Sequence, residues 1–190
     1  MFKFYQVKIQ LLHIEPAIWR RLVLASHIPL DRLHDIIQIA MGWNDCHLHE
    51  FAIGKKRYTE EPQAKNEELE GKIRLSDLVK KKGTTFRYLY DFGDYWEHEI
   101  TLENSRYPEE DMQTIVTCLD GERACPPENT GGIPGYLNFC EAIKDPKHPE
   151  HEDFLDWHGG QFDSEAFDKE SVNQQFVKYL RWSRERVHDW

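Results

Sequence analysis

The sequence predicts an α+β fold built on a mostly antiparallel sheet. Apolar residues recur at every second position near the amino terminus and again between residues 84 and 122, whereas helical spacing appears between these segments and after residue 136. The predicted order is ββαβ, a short helix, three strands and then helices, without the regular alternation of a parallel doubly wound sheet. We expect residues 1–190 to form a single domain.

The first two elements are predicted to be paired strands. In YQVKIQLL the apolar residues alternate with polar ones, which places Tyr5 and Val7 on one face. Pro16 interrupts this pattern, and an apolar run resumes at residues 18–24. The second strand is therefore expected to fold back on the first.

An amphipathic helix is predicted between Pro29 and Gly42. Its apolar residues fall at i, i+3, i+4 and i+7, and they are Leu33, Ile36, Ile37 and Ala40. In the following HLHEFAI the period returns to two, so His47 and His49 are expected to project from one face of a strand.

The middle of the chain is predicted to hold an exposed acidic loop, a short helix and a hairpin. Residues 59–72 have no apolar stripe, and Ser76 is expected to cap the helix SDLVKKK. Two alternating runs then flank Gly93, which is expected to take a positive φ in the turn. The packed face of the second run is expected to carry Trp96, His98, Ile100 and Leu102.

The chain is predicted to be helical from residue 136 onward, after a further strand and a loop rich in glycine and proline at residues 122–136. The last helix is expected to begin with Asp163 as its N-cap. Its buried stripe is expected to consist of Val172, Phe176, Tyr179 and Leu180.

The acidic balance of the chain disfavours generic nucleic-acid binding. It has 24 Lys and Arg against 34 Asp and Glu, a net charge of -10, which repels phosphate backbones and anionic membranes. The sequence lacks a signal-peptide pattern and a run of about 18 apolar residues, so we expect a soluble, cytoplasmic protein without a membrane partner. The four cysteines form no CxxC pair and are expected to be reduced thiols.

A metal site is one interpretation of the histidines. His47 and His49 stand two residues apart on one predicted strand face, which suits two imidazole ligands of zinc or another divalent transition metal. If this strand pairs beside the hairpin, His98 with Asp91 or Asp94 would complete the site, and the ion would hold a water of lowered pKa. The alternative is that these histidines fill the core and bond to backbone groups.

A second set of residues is predicted to bind a small ligand or a protein partner. The loop CPPENTGGIPGY can present backbone N–H groups ahead of a helix, and the aromatic and guanidinium groups of PAIWRR can anchor a partner. The alternative for the hairpin residues is a structural role, with one packed and one solvated face. The candidates are Trp19, Arg20, Asp91, Asp94, Trp96, Glu128, Gly131, Gly132 and Tyr136.

Five blocks of the chain resemble the plasmid Ri-type ORF-three-like family, whose members are also described as insertion-element passenger proteins of TnpR type. The blocks are IEPAIWRRLVL, LDRLHDIIQIAMGWNDCHLHEFAI, YLYDFGDYWEHEITLE, CLDGERACPPENTGGIPGY and FDSEAFD. They occur in one order from about Tyr5 to Val172. The resemblance implies no established activity. Where many relatives have PPEDCGG this chain has PPENTGG, so Asn129 and Thr130 weaken any account that needs a metal-binding thiolate there.

The TnpR description implies a resolvase, and the residues oppose it. A serine recombinase needs a nucleophilic serine among arginines and a basic DNA-binding helix, whereas the basic cluster of this chain is RWSRER at residues 181–186.

Together these observations favour a non-enzymatic interaction or ligand-binding domain linked to plasmid or mobile-element genes. It would act through a protein partner or a small ligand and would need no cofactor. The alternative is a metal-dependent, hydrolase-like site built on His47, His49 and His98. A nucleic-acid accessory protein is a third hypothesis, and the net charge opposes it.

Overall fold

The computed structural model describes residues 3–112 and 114–186, with side chains through Tyr179. Its strands are β1 (Phe4–Leu11), β2 (Trp19–Ala25), β3 (His49–Ile53), β4 (Lys56–Thr59), β5 (Glu67–Leu69), β6 (Thr85–Tyr90), β7 (Trp96–Tyr107) and β8 (Val116–Glu122). Its helices are α1 (Leu30–Met41), α2 (Leu75–Leu78), α3 (Gly132–Lys144), α4 (His151–His158) and α5 (Lys169–Arg186). Short 3-10 turns cover Glu70–Lys72 and Glu109–Asp111.

The eight strands form one sheet in the order β5-β4-β3-β6-β7-β1-β2-β8. Every neighbouring pair is antiparallel except β4 and β5, which confirms the predicted α+β class. The predicted hairpin is also confirmed as β6 and β7. Its packed face is buried as expected, and the residues on it are Trp96, His98, Ile100 and Leu102.

Helix α1 ends where the sequence predicts. Gly42 takes the left-handed conformation at φ 90, and its N–H donates to the carbonyl of Gln38. The predicted stripe of the helix is buried. The same buried face also carries the polar side chains of His34 and Gln38, which are important in the candidate site.

The prediction for the hairpin turn is wrong in one respect. Gly93 does not take a positive φ, and Asp91 (φ 58) and Tyr95 (φ 60) do so instead. Asp91 tolerates the left-handed region because its own carboxylate closes the turn, accepting hydrogen bonds from the backbone N–H of Gly93 at 2.8 Å and of Asp94 at 3.3 Å.

The acidic segment 59–72 differs from a simple loop at its end. Residues 60–66 are exposed, but β5 then pairs in parallel with β4, and Glu70 in the following turn is buried. The predicted cap at Ser76 is wrong. Helix α2 is a single turn that starts at Leu75, and the carboxylate of Asp77 accepts the backbone N–H of Arg74.

Helix α5 begins later than predicted. Asp163 lies in a turn before the helix, and the carboxylate of Asp168 accepts the N–H of Ser171 in capping geometry, at 3.0 Å. Val172 and Phe176 are buried as expected, whereas the side chain of Leu180 lies outside the described residues.

The same helix covers the outer edge of β8. The side-chain amide of Asn173 accepts the N–H of Cys118 at 2.8 Å and donates to its carbonyl at 3.0 Å. In the described ranges 3–112 and 114–186, none of the helices has the length and apolar character needed to cross a bilayer.

Candidate functional site

The hairpin turn and the glycine- and proline-rich loop are locked together. The N–H of Gly131 donates to the Asp94 carboxylate at 3.0 Å. Gly132 has φ 68, and a Cβ at this position would lie 2.7 Å from the carbonyl oxygen of Asp94. On the other side, the indole of Trp43 donates to the carbonyl of Pro126 at 2.9 Å. The loop therefore approaches the turn in a way that only glycine permits at residue 132.

This contact brings together His47, Asp91 and Glu128, which we call the junction site. Nε2 of His47 lies 3.5 Å from Oδ2 of Asp91 and 3.5 Å from Oε2 of Glu128. Both distances exceed those of a good hydrogen bond. The nitrogen is shielded from solvent and has no hydrogen-bond partner. A polar atom in this state requires an explanation, because leaving it unpaired is costly.

Each carboxylate uses one oxygen locally and directs the other toward His47. The inner oxygen of Asp91 closes the hairpin turn, as described above. Oε1 of Glu128 accepts the backbone N–H of Asn44 at 2.8 Å and the hydroxyl of Tyr90 at 3.0 Å. Burial, together with Glu128, raises the pKa of Tyr90, so this tyrosine remains a hydrogen-bond donor. Oε2 of Glu128 also lies 3.2 Å from the Tyr90 hydroxyl. Both outer oxygens are thus held in place near His47, with lone pairs left to bind an ion.

A second polar cluster lies between α1 and the sheet, and we call it the histidine stack. Its members are His34, Asp45, His49, Glu70 and Tyr88. The rings of His34 and His49 are parallel within 6° and their centroids are 3.5 Å apart. Nε2 of His49 contacts the buried carboxylate of Glu70 at 3.0 Å. This pairing compensates a carboxyl group that is only 2% exposed.

The hydrogen-bond network fixes the tautomer of His34. The N–H of Asp45 donates to Oε1 of Gln38, so Nε2 of Gln38 donates to the Tyr88 hydroxyl. That hydroxyl then donates to Nδ1 of His34 at 2.8 Å, which leaves Nε2–H to donate to Asp45 at 2.9 Å. Burial, followed by the neighbouring His49, lowers the pKa of His34 and keeps it neutral.

The histidine stack is a poor metal site despite its composition. Donor atoms of His34, Asp45 and His49 lie within 4.8 Å of one another. The lone pair of an imidazole nitrogen lies in the plane of its ring, however, and a single ion cannot lie in both of two parallel planes. We therefore assign this cluster a structural role.

The structure does not bring the three predicted metal histidines together. His49 lies on β3 and His98 on β7, with β6 between them, and the Tyr88 ring contacts both imidazoles. His98 is fully buried, its ring meets the edge of Trp43 at 5.3 Å, and neither of its nitrogens has a hydrogen-bond partner. Of the three, His47 alone belongs to the junction site.

The remaining candidates have different surroundings. Trp96 and Tyr136 are buried in the core. Arg20 is 3% exposed and donates to the carbonyls of Ala40, Trp19 and Glu122. The indole of Trp19 donates to the Glu122 carboxylate at 2.8 Å. The predicted partner anchor at Trp19 and Arg20 is thus occupied by contacts within the chain.

Sequence reasoning missed His34, Asp45, Glu70 and Tyr90. His34 and Gln38 form a polar i, i+4 pair on the apolar face of α1, and this signal could have identified the histidine stack. Glu70 gives no such signal, because nothing in the sequence distinguishes it from Glu67 and Glu68, which are only half-buried.

Comparison with known proteins reveals the relationship of the chain. The family model described as plasmid pRiA4b ORF-3-like protein matches residues 3–171. The chain belongs to this family. A protein from Sinorhizobium fredii (strain NBRC 101917 / NGR234), named uncharacterized protein y4hQ, is 37% identical over an alignment of 184 residues that covers 94% of each chain. The crystal structure of the protein of unknown function MM3350 from Methanosarcina mazei Go1 matches with a TM-score of 0.82 and 34% identity. That match covers 90% of this chain and 98% of the other. The family resemblance read from the sequence is confirmed, and these relatives are themselves uncharacterised.

Proposed function

We propose that this protein binds a divalent transition-metal ion at the junction site and uses it to capture a ligand. The observation that carries the proposal is the Nε2 atom of His47, which is shielded and unpaired between two carboxylate oxygens. Imidazole and carboxylate donors suit zinc and related divalent ions.

The distances favour an ion over a direct salt bridge. Elsewhere in this chain, a histidine that meets a carboxylate approaches it to 2.8 Å in the His13–Glu97 pair and to 2.9 Å in the His34–Asp45 pair. At the junction both separations are 3.5 Å. Two donors bound about 2.1 Å from a tetrahedral ion lie about 3.4 Å apart, which agrees with the junction distances.

The two carboxylates would close in on the ion when it binds. In the described part of the chain, the donor atoms of His34, Asp45 and His49 in the histidine stack already lie within 4.8 Å of one another. The outer oxygens of Asp91 and Glu128 lie farther apart than this, so the bound ion would draw them together. An ion with three protein ligands keeps at least one position for an external ligand or water. This open position supports metal-dependent ligand binding, and the hydrolase-like alternative would use the same ion.

The test is the metal content of protein purified without a metal-affinity tag and incubated with zinc or manganese. We expect about one ion per chain, and we expect binding in His47→Gln and Glu128→Gln to be weaker by at least about tenfold, because each loses one ligand. The matched control is His13→Gln, which removes an exposed histidine paired with a carboxylate and should bind normally.

Two outcomes would contradict the proposal. One is the absence of bound ion in the folded wild-type protein at tenfold excess of each metal. The other is normal binding in His47→Gln combined with loss in His49→Gln, which would assign the ion to the histidine stack. Circular dichroism of each variant distinguishes loss of the site from loss of the fold.

A further inference from the structure

A cleft of about 400 Å³ opens beside the hairpin turn. We call it the acidic cleft. Its lining comes from β3 and the residue before it, from β4 and the acidic segment, and from the turn. The lining residues are Leu48, His49, Glu50, Thr59, Glu60, Glu61, Gln63, Glu67 and Phe92.

The cleft carries negative charge that the chain does not neutralise. Neither lysine nor arginine is among its lining residues. Glu50 pairs with Arg57. The carboxylate of Glu67 accepts the backbone N–H groups of residues 63 and 64, and these hydrogen bonds lower the pKa of Glu67. Glu60 and Glu61 are exposed, and among residues 3–112 and 114–186 they have no ion-pair partner. An approaching cation would therefore meet unpaired carboxylates.

Two large apolar side chains, those of Leu48 and Phe92, also line the acidic cleft. Leu48 is 64% exposed and Phe92 is 49% exposed. The N–H of Asp91 donates to the carbonyl of Leu48 at 3.0 Å, so the backbone holds the two segments side by side. The turn does not require an apolar residue at Phe92, since a turn of this kind accepts polar residues there. Apolar groups grouped beside charge are typical of a protein-binding surface.

We propose that the acidic cleft docks a basic segment of a partner protein, with apolar side chains on Leu48 and Phe92 and lysine or arginine near Glu60 and Glu61. The charge of the cleft selects for a cationic partner and against nucleic acid. The exposed apolar residues of the cleft favour a segment that carries apolar side chains as well as positive charge. A simple polyamine has the charge but no apolar side chains. This docking does not depend on the junction site holding a metal ion.

The probe is a fluorescein-labelled hexapeptide of alternating lysine and leucine, titrated with the full-length protein at low and at physiological salt. We expect saturable binding that weakens with salt. The double variant Glu60→Gln/Glu61→Gln should weaken it by at least about fivefold, because two exposed charge contacts are lost. Phe92→Ser should weaken it by a similar factor. The matched controls are Glu141→Gln/Glu152→Gln and Leu137→Ser, which make the same changes on the exposed faces of α3 and α4.

The proposal is overturned if the lysine–leucine peptide does not bind, or if a lysine–serine peptide binds as tightly as the lysine–leucine peptide. It is also overturned if spermidine competes as well as the unlabelled lysine–leucine peptide, or if the control variants weaken binding as much as the cleft variants. Self-association in sedimentation experiments that is lost in Phe92→Ser would also overturn it, because the occupant would then be a second copy of the chain. Metal content is measured in the same samples, so failure of docking is distinguishable from failure of the junction site.

Discussion

Replacing Gly132 with alanine is expected to lower the free energy of unfolding by about 3 kcal/mol and to abolish metal binding at the junction site. Gly132 has φ 68, a conformation that costs an L-residue about 1–2 kcal/mol. The added Cβ would also lie 2.7 Å from the carbonyl oxygen of Asp94, which is backbone and cannot rotate away. Relief of this clash would separate the loop from the turn and move Glu128 away from His47.

Urea denaturation and metal content of the same samples would measure both effects. The matched control is Gly159→Ala at the end of α4, where φ is 81 and no atom lies within 4 Å of an added Cβ. This control isolates the conformational cost, so it should destabilise less and leave metal binding intact. The interpretation fails if the two variants lose equal stability, or if Gly132→Ala retains the ion.

The strands and the long helix could be predicted from the sequence because periodicity reports burial directly. Alternation in β1 and β7 identified the faces that are buried, and the spacing in α1 identified its stripe. The sequence predicts neither β4 nor β5. Each strand is short and mostly exposed or half-buried, so neither carries an apolar alternation. The start of α5 was misplaced because Asp163 and Asp168 are both capping residues, and packing decides between them.

The candidate site was less accessible to sequence reasoning than the fold. The sequence places His47 and Asp91 in one predicted metal site and Glu128 in a separate predicted ligand site. The three residues are separated by 44 and 37 residues in the chain, and the contacts of Gly131 and Gly132 with Asp94 bring the loop to the turn. The spacing of two positions between His47 and His49 suggests a shared site. Their neighbours differ because His47 precedes β3 whereas His49 is the first residue within it, stacked against α1.

Acidification from pH 7 to pH 4 is expected to destabilise the fold by about 3 kcal/mol through His98 alone. Burial lowers the pKa of His98 to about 4, and backbone groups of Tyr88 and Trp96 only partly offset this effect. The unfolded chain titrates near 6.5, so it binds more protons than the folded protein between these two pH values. Stability is thus complete above about pH 6.5 and declines as the pH falls toward 4. A difference of about 2.5 pH units corresponds to about 3 kcal/mol.

The measurement is the difference in unfolding free energy between the wild type and His98→Leu, taken by urea denaturation at pH 7 and at pH 4. Leucine has a similar volume and no titratable group, so the wild type should lose about 3 kcal/mol relative to the variant over this range. Other groups also lose stability in acid, including the carboxylate of Glu103, whose pKa is lowered by its hydrogen bond with Arg21. They are present in both proteins and cancel in the difference. Parallel pH profiles would mean that the imidazole is solvated in solution, since burial is the largest cause of its lowered pKa.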